Sequence, residues 1–146
     1  NFTGRQKQVY DAVLRVLRAS TDGLRPGRKW KEWQKEAEEL IEKECVDLGL
    51  ITPAQIKKQE PDKPAFKKYF MHGVGHPLGL DVHDLGLVTE PMQEGWVMTV
   101  EPAIYIREEG FGVRLENDIL IKESGNVDLM AEIPIEAGEI EAGMKP

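Results

Sequence analysis

The chain has 146 residues, of which 40% are hydrophobic and 31% charged, with a formal net charge of −7 from 26 acidic against 19 basic side chains. That size and composition suit one soluble globular domain over residues 1–146, and the acidic balance argues against nucleic acid and anionic membranes as partners. No apolar run approaches the roughly 20 residues of a membrane span. Nothing at the N-terminus reads as a signal peptide, and a single cysteine, Cys45, excludes an internal disulfide and suits a reducing, cytoplasmic address.

Taken in order, Thr3-Gly4-Arg5-Gln6 has capping-box spacing, and Val9, Val13, Leu14 and Leu17 follow as one helical stripe. Arg25-Pro26-Gly27 interrupts that pattern. A second helix is predicted from about Lys29, with Trp30, Trp33, Ala37, Leu40, Ile41 and Leu48 on one side and Gly49 as its stop. Cys45 falls on this helix as a small buried hydrophobe. Thr52-Pro53-Ala54-Gln55 reads as the cap of a short third helix, and Gln59 to Lys68, polar and holding Pro61 and Pro64, as a surface loop.

After Tyr69 the composition shifts to β-branched and aromatic residues punctuated by glycine. Strands are predicted at Tyr69 to His72, Val97 to Ile106, Gly112 to Ile121 and Val127 to Glu132, with turns at Glu94-Gly95 and Glu108-Glu109-Gly110. Helices first and an antiparallel sheet after give an α+β class. Asn1 is not an initiator methionine and stands almost against the first helix cap, so the chain is expected to be a piece of a longer protein.

All three histidines, His72, His76 and His83, lie in MHGVGHPLGLDVHD. The glycines and Pro77 make a helix there implausible. In an extended chain His72 and His76 share a face, while His83 converges on them only if the Pro77–Gly79 stretch resets the alternation. The plainer alternative is a turn-rich loop with solvated or hydrogen-bonded histidines.

Glu101 sits inside the apolar run MTVEPAIYI, where a buried charge is costly unless paired or bound to a metal. Pro102 cannot donate to a ladder, so an edge or bulge belongs there. Glu116, in GVRLENDILI, shares a face with Arg114 and Asp118, and an exposed Arg114–Glu116 pair is the bland account of it. Imidazole and carboxylates together suit a first-row divalent ion. The residues themselves imply a metal or acid–base site on an antiparallel sheet and go no further.

HGVGHPLGLDVHD, TVEPAIYI and GVRLENDILI, in that order and spacing, resemble three motifs of the pita-bread-fold metallopeptidases, and within them the Xaa-Pro aminopeptidase and prolidase group. The resemblance covers essentially the whole chain and is strongest from Phe70 to Ile121. It implies two metal ions, manganese first with cobalt or zinc possible, held by two aspartates, one histidine and two glutamates. By motif position His76, Glu101 and Glu116 are implied as metal ligands, with Glu101 also carrying the proton of the attacking water. His72 and His83 are implied to orient substrate and stabilise the tetrahedral intermediate, and Arg114 to orient neighbouring acidic groups. The implied substrate is a peptide with proline at its second position, and the full-length protein is expected to form a homo-oligomer.

The two aspartates have no counterpart in residues 1–70, where Asp11, Asp22 and Asp47 lie in or beside helices. The chain is therefore expected to begin after them and to be inactive alone. A non-catalytic peptide- or protein-binding module on the same fold is the alternative, marked by loss of ligands. A metal-free amidinohydrolase is disfavoured because it need not keep all three. His76, Glu101 and Glu116 are expected to converge on one metal cluster, each within a bonding reach of roughly 2.0–2.2 Å, flanked by His72 and His83. Glutamates on opposite faces of the sheet would refute that expectation.

Overall fold

Helix α1 (Gly4–Gly23) starts where Thr3 accepts from the Gln6 amide, and Gln6 in turn accepts from the Thr3 amide at 2.9 Å. This reciprocal cap satisfies two amides that a helix start otherwise leaves orphaned. Its stripe buries Val9, Val13, Leu14 and Leu17, joined by Tyr10, Ala12 and Val16. After α1, Gly27 takes φ +81°, a left-handed conformation open to glycine. The buried Arg28 then returns its Nη1 to the Gly23 carbonyl at 2.6 Å, capping the helix it follows.

Helix α2 (Trp30–Asp47) buries Trp33, Ala37, Ile41 and Cys45, and Gly49 follows at φ +72°. Helix α3 (Pro53–Lys58) has the predicted Thr52 cap and a proline in its first turn. These three helices match the sequence reading closely. In the computed structural model, which describes residues 1–85 and 89–144, α1 packs on α2 on one side and on the β-layer on the other. Among the described residues no helix is long and apolar enough to cross a membrane.

The β-layer is one interrupted hairpin with a short addition. Strand β1 (Val97–Val100) pairs antiparallel with β4 (Asn117–Leu120), and β2 (Ala103–Ile106) pairs antiparallel with β3 (Phe111–Arg114). The turn between β2 and β3 is a 3₁₀ turn, Arg107–Glu109, closed by Gly110 at φ +71°. Strand β5 (Val127–Asp128) adds to the outside of β4. Val100, Ile104, Ile119 and Ile121 join the helix stripes in one apolar core.

Five stretches depart from the sequence reading. Val97 to Ile106 and Gly112 to Ile121 are each two strands, broken at Glu101-Pro102 and at Leu115-Glu116. Tyr69 to His72 is not a strand: the amides of Tyr69 and Phe70 both turn back to the Phe66 carbonyl, at 2.8 and 3.0 Å, although the Tyr69 carbonyl still accepts from the Tyr105 amide at 2.9 Å. The loop read over Gln59 to Lys68 ends in a 3₁₀ turn, Ala65–Lys68, that buries Phe66. Val127 to Glu132 is a strand only at Val127–Asp128: the Leu129 amide adds one bond to the Asp118 carbonyl at 2.9 Å, and the Met130 amide then turns back to the Asp128 carboxylate at 2.8 Å. A fourth helix, α4 (Ala137–Gly143), was not anticipated; it lacks a side-chain cap and is pinned where Glu141 accepts from the Phe2 amide at 2.9 Å.

Cys45 is fully buried, and burial pushes its thiol up to about 12. In the unfolded chain the thiol ionises near its ordinary value of about 8.5. Between those values the native state holds a proton that the unfolded state releases, so stability falls as pH rises. We expect Cys45 to cost the fold about 2 kcal/mol between pH 7 and pH 10. Denaturant melts of wild type and Cys45→Ala at both pH values measure this as the extra loss in the wild type.

Candidate metal centre

The site lies at the break in the hairpin. Val100 faces Asn117 on one side of the break and Ala103 faces Arg114 on the other, so a single register runs through it. That register sets Glu101 opposite Glu116 and Pro102 opposite Leu115. The Leu115 amide donates to the Pro102 carbonyl at 3.3 Å, and Pro102 has no N–H to return the bond. Glu101 and Glu116 therefore occupy a position of the non-hydrogen-bonded type, where facing side chains approach most closely. The proline opens the ladder at the point where two carboxylates meet.

The third side chain comes from residues 74–78, which run beside β1 as an irregular extended segment. The Leu78 amide donates to the Val97 carbonyl at 3.0 Å, the Thr99 amide to His76 at 2.9 Å, and the Glu101 amide to Val74 at 2.7 Å. Gly75 makes this approach possible: a Cβ there would lie 1.9 Å from the Thr99 carbonyl oxygen and 2.9 Å from the Trp33 ring. Helix α2 braces the segment from behind, where Gln34 Oε1 accepts from the Val74 amide at 2.8 Å. Buried Thr99 accepts from the His76 amide at 3.0 Å, fixing the histidine backbone to β1.

Within this frame His76, Glu101 and Glu116 each offer a ligand atom, all within 4.8 Å of one another. His76 Nδ1 lies 2.9 Å from the Pro77 carbonyl, which can only accept, so Nδ1 carries the proton and Nε2 is the free donor atom. Nε2 stands 3.5 Å from Glu101 Oε1. His76 and Glu101 are half-buried, while Glu116 is exposed. One imidazole nitrogen and two carboxylates, converging and without enough hydrogen-bond donors of their own, form a donor set that suits a divalent cation.

The other sequence-predicted residues fall around this trio in different ways. The 77–84 turn folds back, the Asp84 amide donating to Pro77 at 3.2 Å, and brings the exposed His83 ring to 4.4 Å from that of His76. His72 is engaged elsewhere. Its Nδ1 donates to the Gly73 carbonyl at 2.7 Å, its Nε2 accepts from the Tyr105 hydroxyl at 2.9 Å, and its ring packs edge-on against Phe70. Arg114 Nε lies 3.7 Å from Glu116 Oε2, both side chains largely open to solvent. Sequence reasoning overlooked Tyr105, Gln34 and Asp84. Tyr105 was legible by alternation from Glu101, and Gln34 as a polar interruption of an apolar helix face.

Comparison with known proteins follows the same outline. Residues 1–123 match the model of metallopeptidase family M24. A Xaa-Pro aminopeptidase of Haemophilus influenzae is 36% identical, over 96% of this chain and 35% of its own length. Zinc-substituted aminopeptidase P of Escherichia coli in complex with product superposes with a TM-score of 0.87 at 36% identity, covering 99% of this chain and 35% of the other. The same enzyme with the inhibitor Pro-Leu gives 0.86 at 36% identity, with the same coverage. The arrangement of helices and sheet is the pita-bread fold expected from the motifs. The chain spans about a third of the length of the curated relatives it matches.

Gly75 is the position where this geometry is least forgiving. Gly75→Ala drives a methyl group into backbone rather than into a flexible side-chain end. It is expected to cost about 3 kcal/mol, the upper end of the overpacking range. Urea melts of the metal-free protein measure the loss, and a near-zero change would show that residues 74–78 can lift off β1 freely.

Proposed function

This chain belongs to metallopeptidase family M24, and from that premise we propose that its protein is an exopeptidase that removes an N-terminal residue preceding proline. The observation that carries the reading is the convergence of His76, Glu101 and Glu116. Support for the substrate comes from relatives named as Xaa-Pro aminopeptidases and from the Pro-Leu inhibitor on a structural neighbour. Two divalent ions are proposed, manganese first with cobalt or zinc as substitutes; the zinc-substituted relative supports a site tolerant of exchange. A cytoplasmic, homo-oligomeric full-length protein completes the proposal.

His76 Nε2 and the carboxylates of Glu101 and Glu116 would hold the metal. The chemistry supplied by such ions when bound is Lewis-acid polarisation of the scissile carbonyl. Glu101 takes the proton of the attacking water as its oxygen bonds to the carbonyl carbon, then delivers that proton to the proline nitrogen as the C–N bond breaks. Its half-buried setting next to His76 keeps the exchange away from bulk water. His83, its ring tilted against that of His76, and His72, held by Tyr105, are assigned to orienting the substrate and steadying the oxyanion. Arg114 is assigned to holding Glu116 in place. Three donors fall short of the five expected of a complete pair of sites, so residues 1–146 alone are read as inactive.

Two measurements test this. In the full-length protein Glu101→Gln should keep the fold and lose about 10²–10⁴-fold in kcat on an Xaa-Pro peptide, the usual span of a general acid–base contribution. Near wild-type turnover would remove Glu101 from that role. Separately, an isolated polypeptide of residues 1–146 assayed with manganese should show no Xaa-Pro cleavage above background. Robust metal-dependent activity there would mean that three donors suffice and the active site has been misassigned.

A further inference from the structure

Asp84 lies outside the ligand trio, yet its hydrogen bonds lead directly to it. Its carboxylate accepts from two amides, Leu80 to Oδ2 at 2.9 Å and Leu85 to Oδ1 at 2.7 Å. Its own amide donates to the Pro77 carbonyl at 3.2 Å. The same carbonyl accepts from His76 Nδ1 at 2.9 Å. Gly79 leaves room for this arrangement, since a Cβ on it would stand 1.9 Å from Asp84 Oδ2. The carboxylate thus occupies the space that any other residue at position 79 would claim.

Both bonds to the Pro77 oxygen matter for the histidine. A carbonyl held in a closed turn has a fixed direction, and the ring that donates to it has a fixed tautomer and a fixed tilt. We propose that Asp84 is a positioning residue for His76: it closes the 77–84 turn, aims the Pro77 carbonyl, and so keeps His76 in the Nδ1–H form with Nε2 turned toward Glu101. This rests on the reading of His76 as a metal ligand only for its consequence, metal affinity. The tautomer is a property of the chain itself. Without the carboxylate, the Leu80 and Leu85 amides lose their acceptor and the turn loses its closure. Pro77 then no longer offers one direction to the ring.

The test uses full-length protein labelled with ¹⁵N-histidine, the His76 signals being assigned with a His76→Gln variant. In chelator-treated protein, above the ordinary histidine titration range, wild type should show His76 as the Nδ1–H tautomer. Asp84→Ala should show a mixture of tautomers, and Gly79→Ala, which displaces the carboxylate sterically, should show the same. Asp84→Asn, which keeps an acceptor for the Leu80 amide, should retain most of the wild-type pattern and serves as the readout if the alanine variants fail to fold. Manganese affinity, by calorimetry, should fall about 10–100-fold in both alanine variants and largely recover in Asp84→Asn. An unchanged tautomer in folded Asp84→Ala, or equal loss in Asp84→Asn and Asp84→Ala, overturns the proposal. If wild type binds no manganese, the peptidase reading fails and the tautomer measurement alone decides the role of Asp84.

Discussion

Glu101 and Glu116 stand opposite each other in a pair of strands that hydrogen-bond on either side of them but not between them. Like charges facing each other across a sheet oppose pairing, and here the close, non-hydrogen-bonded position sharpens the conflict. His76 brings an imidazole nitrogen whose lone pair also points inward. A cluster of acceptors with few donors is stable in one common circumstance, when a cation stands among them. The surrounding architecture holds these three groups within reach of one another.

The holding is done by backbone more than by side chains. Residues 74–78 reach β1 through three amide–carbonyl bonds, and that reach is possible only because position 75 has no side chain to interpose. Trp33 and Gln34, one helical turn inside α2, back the segment from the core: the Trp33 ring abuts Gly75, and its indole nitrogen donates to the Ser20 carbonyl of α1 at 2.7 Å. The packing of α1 on α2 is thereby transmitted to the His76 backbone. This explains why long amphipathic helices with no chemistry of their own precede the motifs.

Legibility in the sequence divides along physical lines. The helices were legible because their signals are local: a capping box at Thr3, another at Thr52, glycines after the stops at Gly27 and Gly49. At Pro102 the missing N–H pointed to an edge or bulge within one strand, whereas the ladder is interrupted there with its register unchanged. The facing break at Leu115-Glu116 was not foreseen, since nothing in those two residues opposes a strand; the break there is imposed by the proline across the ladder. Tyr69 to His72 has strand-like composition, but the Phe66 carbonyl captures its first two amides. That competition is set by a preceding 3₁₀ turn that composition does not reveal.

The candidate site was legible to a different depth at each position. Glu101 drew attention as a charge in an apolar run, a signal that needs no structure. His76 and His83 could be grouped but not joined, because alternation placed them on opposite faces until the 77–84 turn folded the chain back on itself. Asp84 carried no signal in its own right: an aspartate among Leu80, Asp81 and His83 reads as one more polar loop residue. Its meaning depends on Gly79, five positions earlier, and the two are complementary in shape, a missing side chain matched to a carboxylate that fills the gap. Such pairings are invisible to periodicity and to charge counting. Here the positions that could not be read lie in the turn that sets the direction of the histidine ring, where geometry rather than composition determines what His76 can bind.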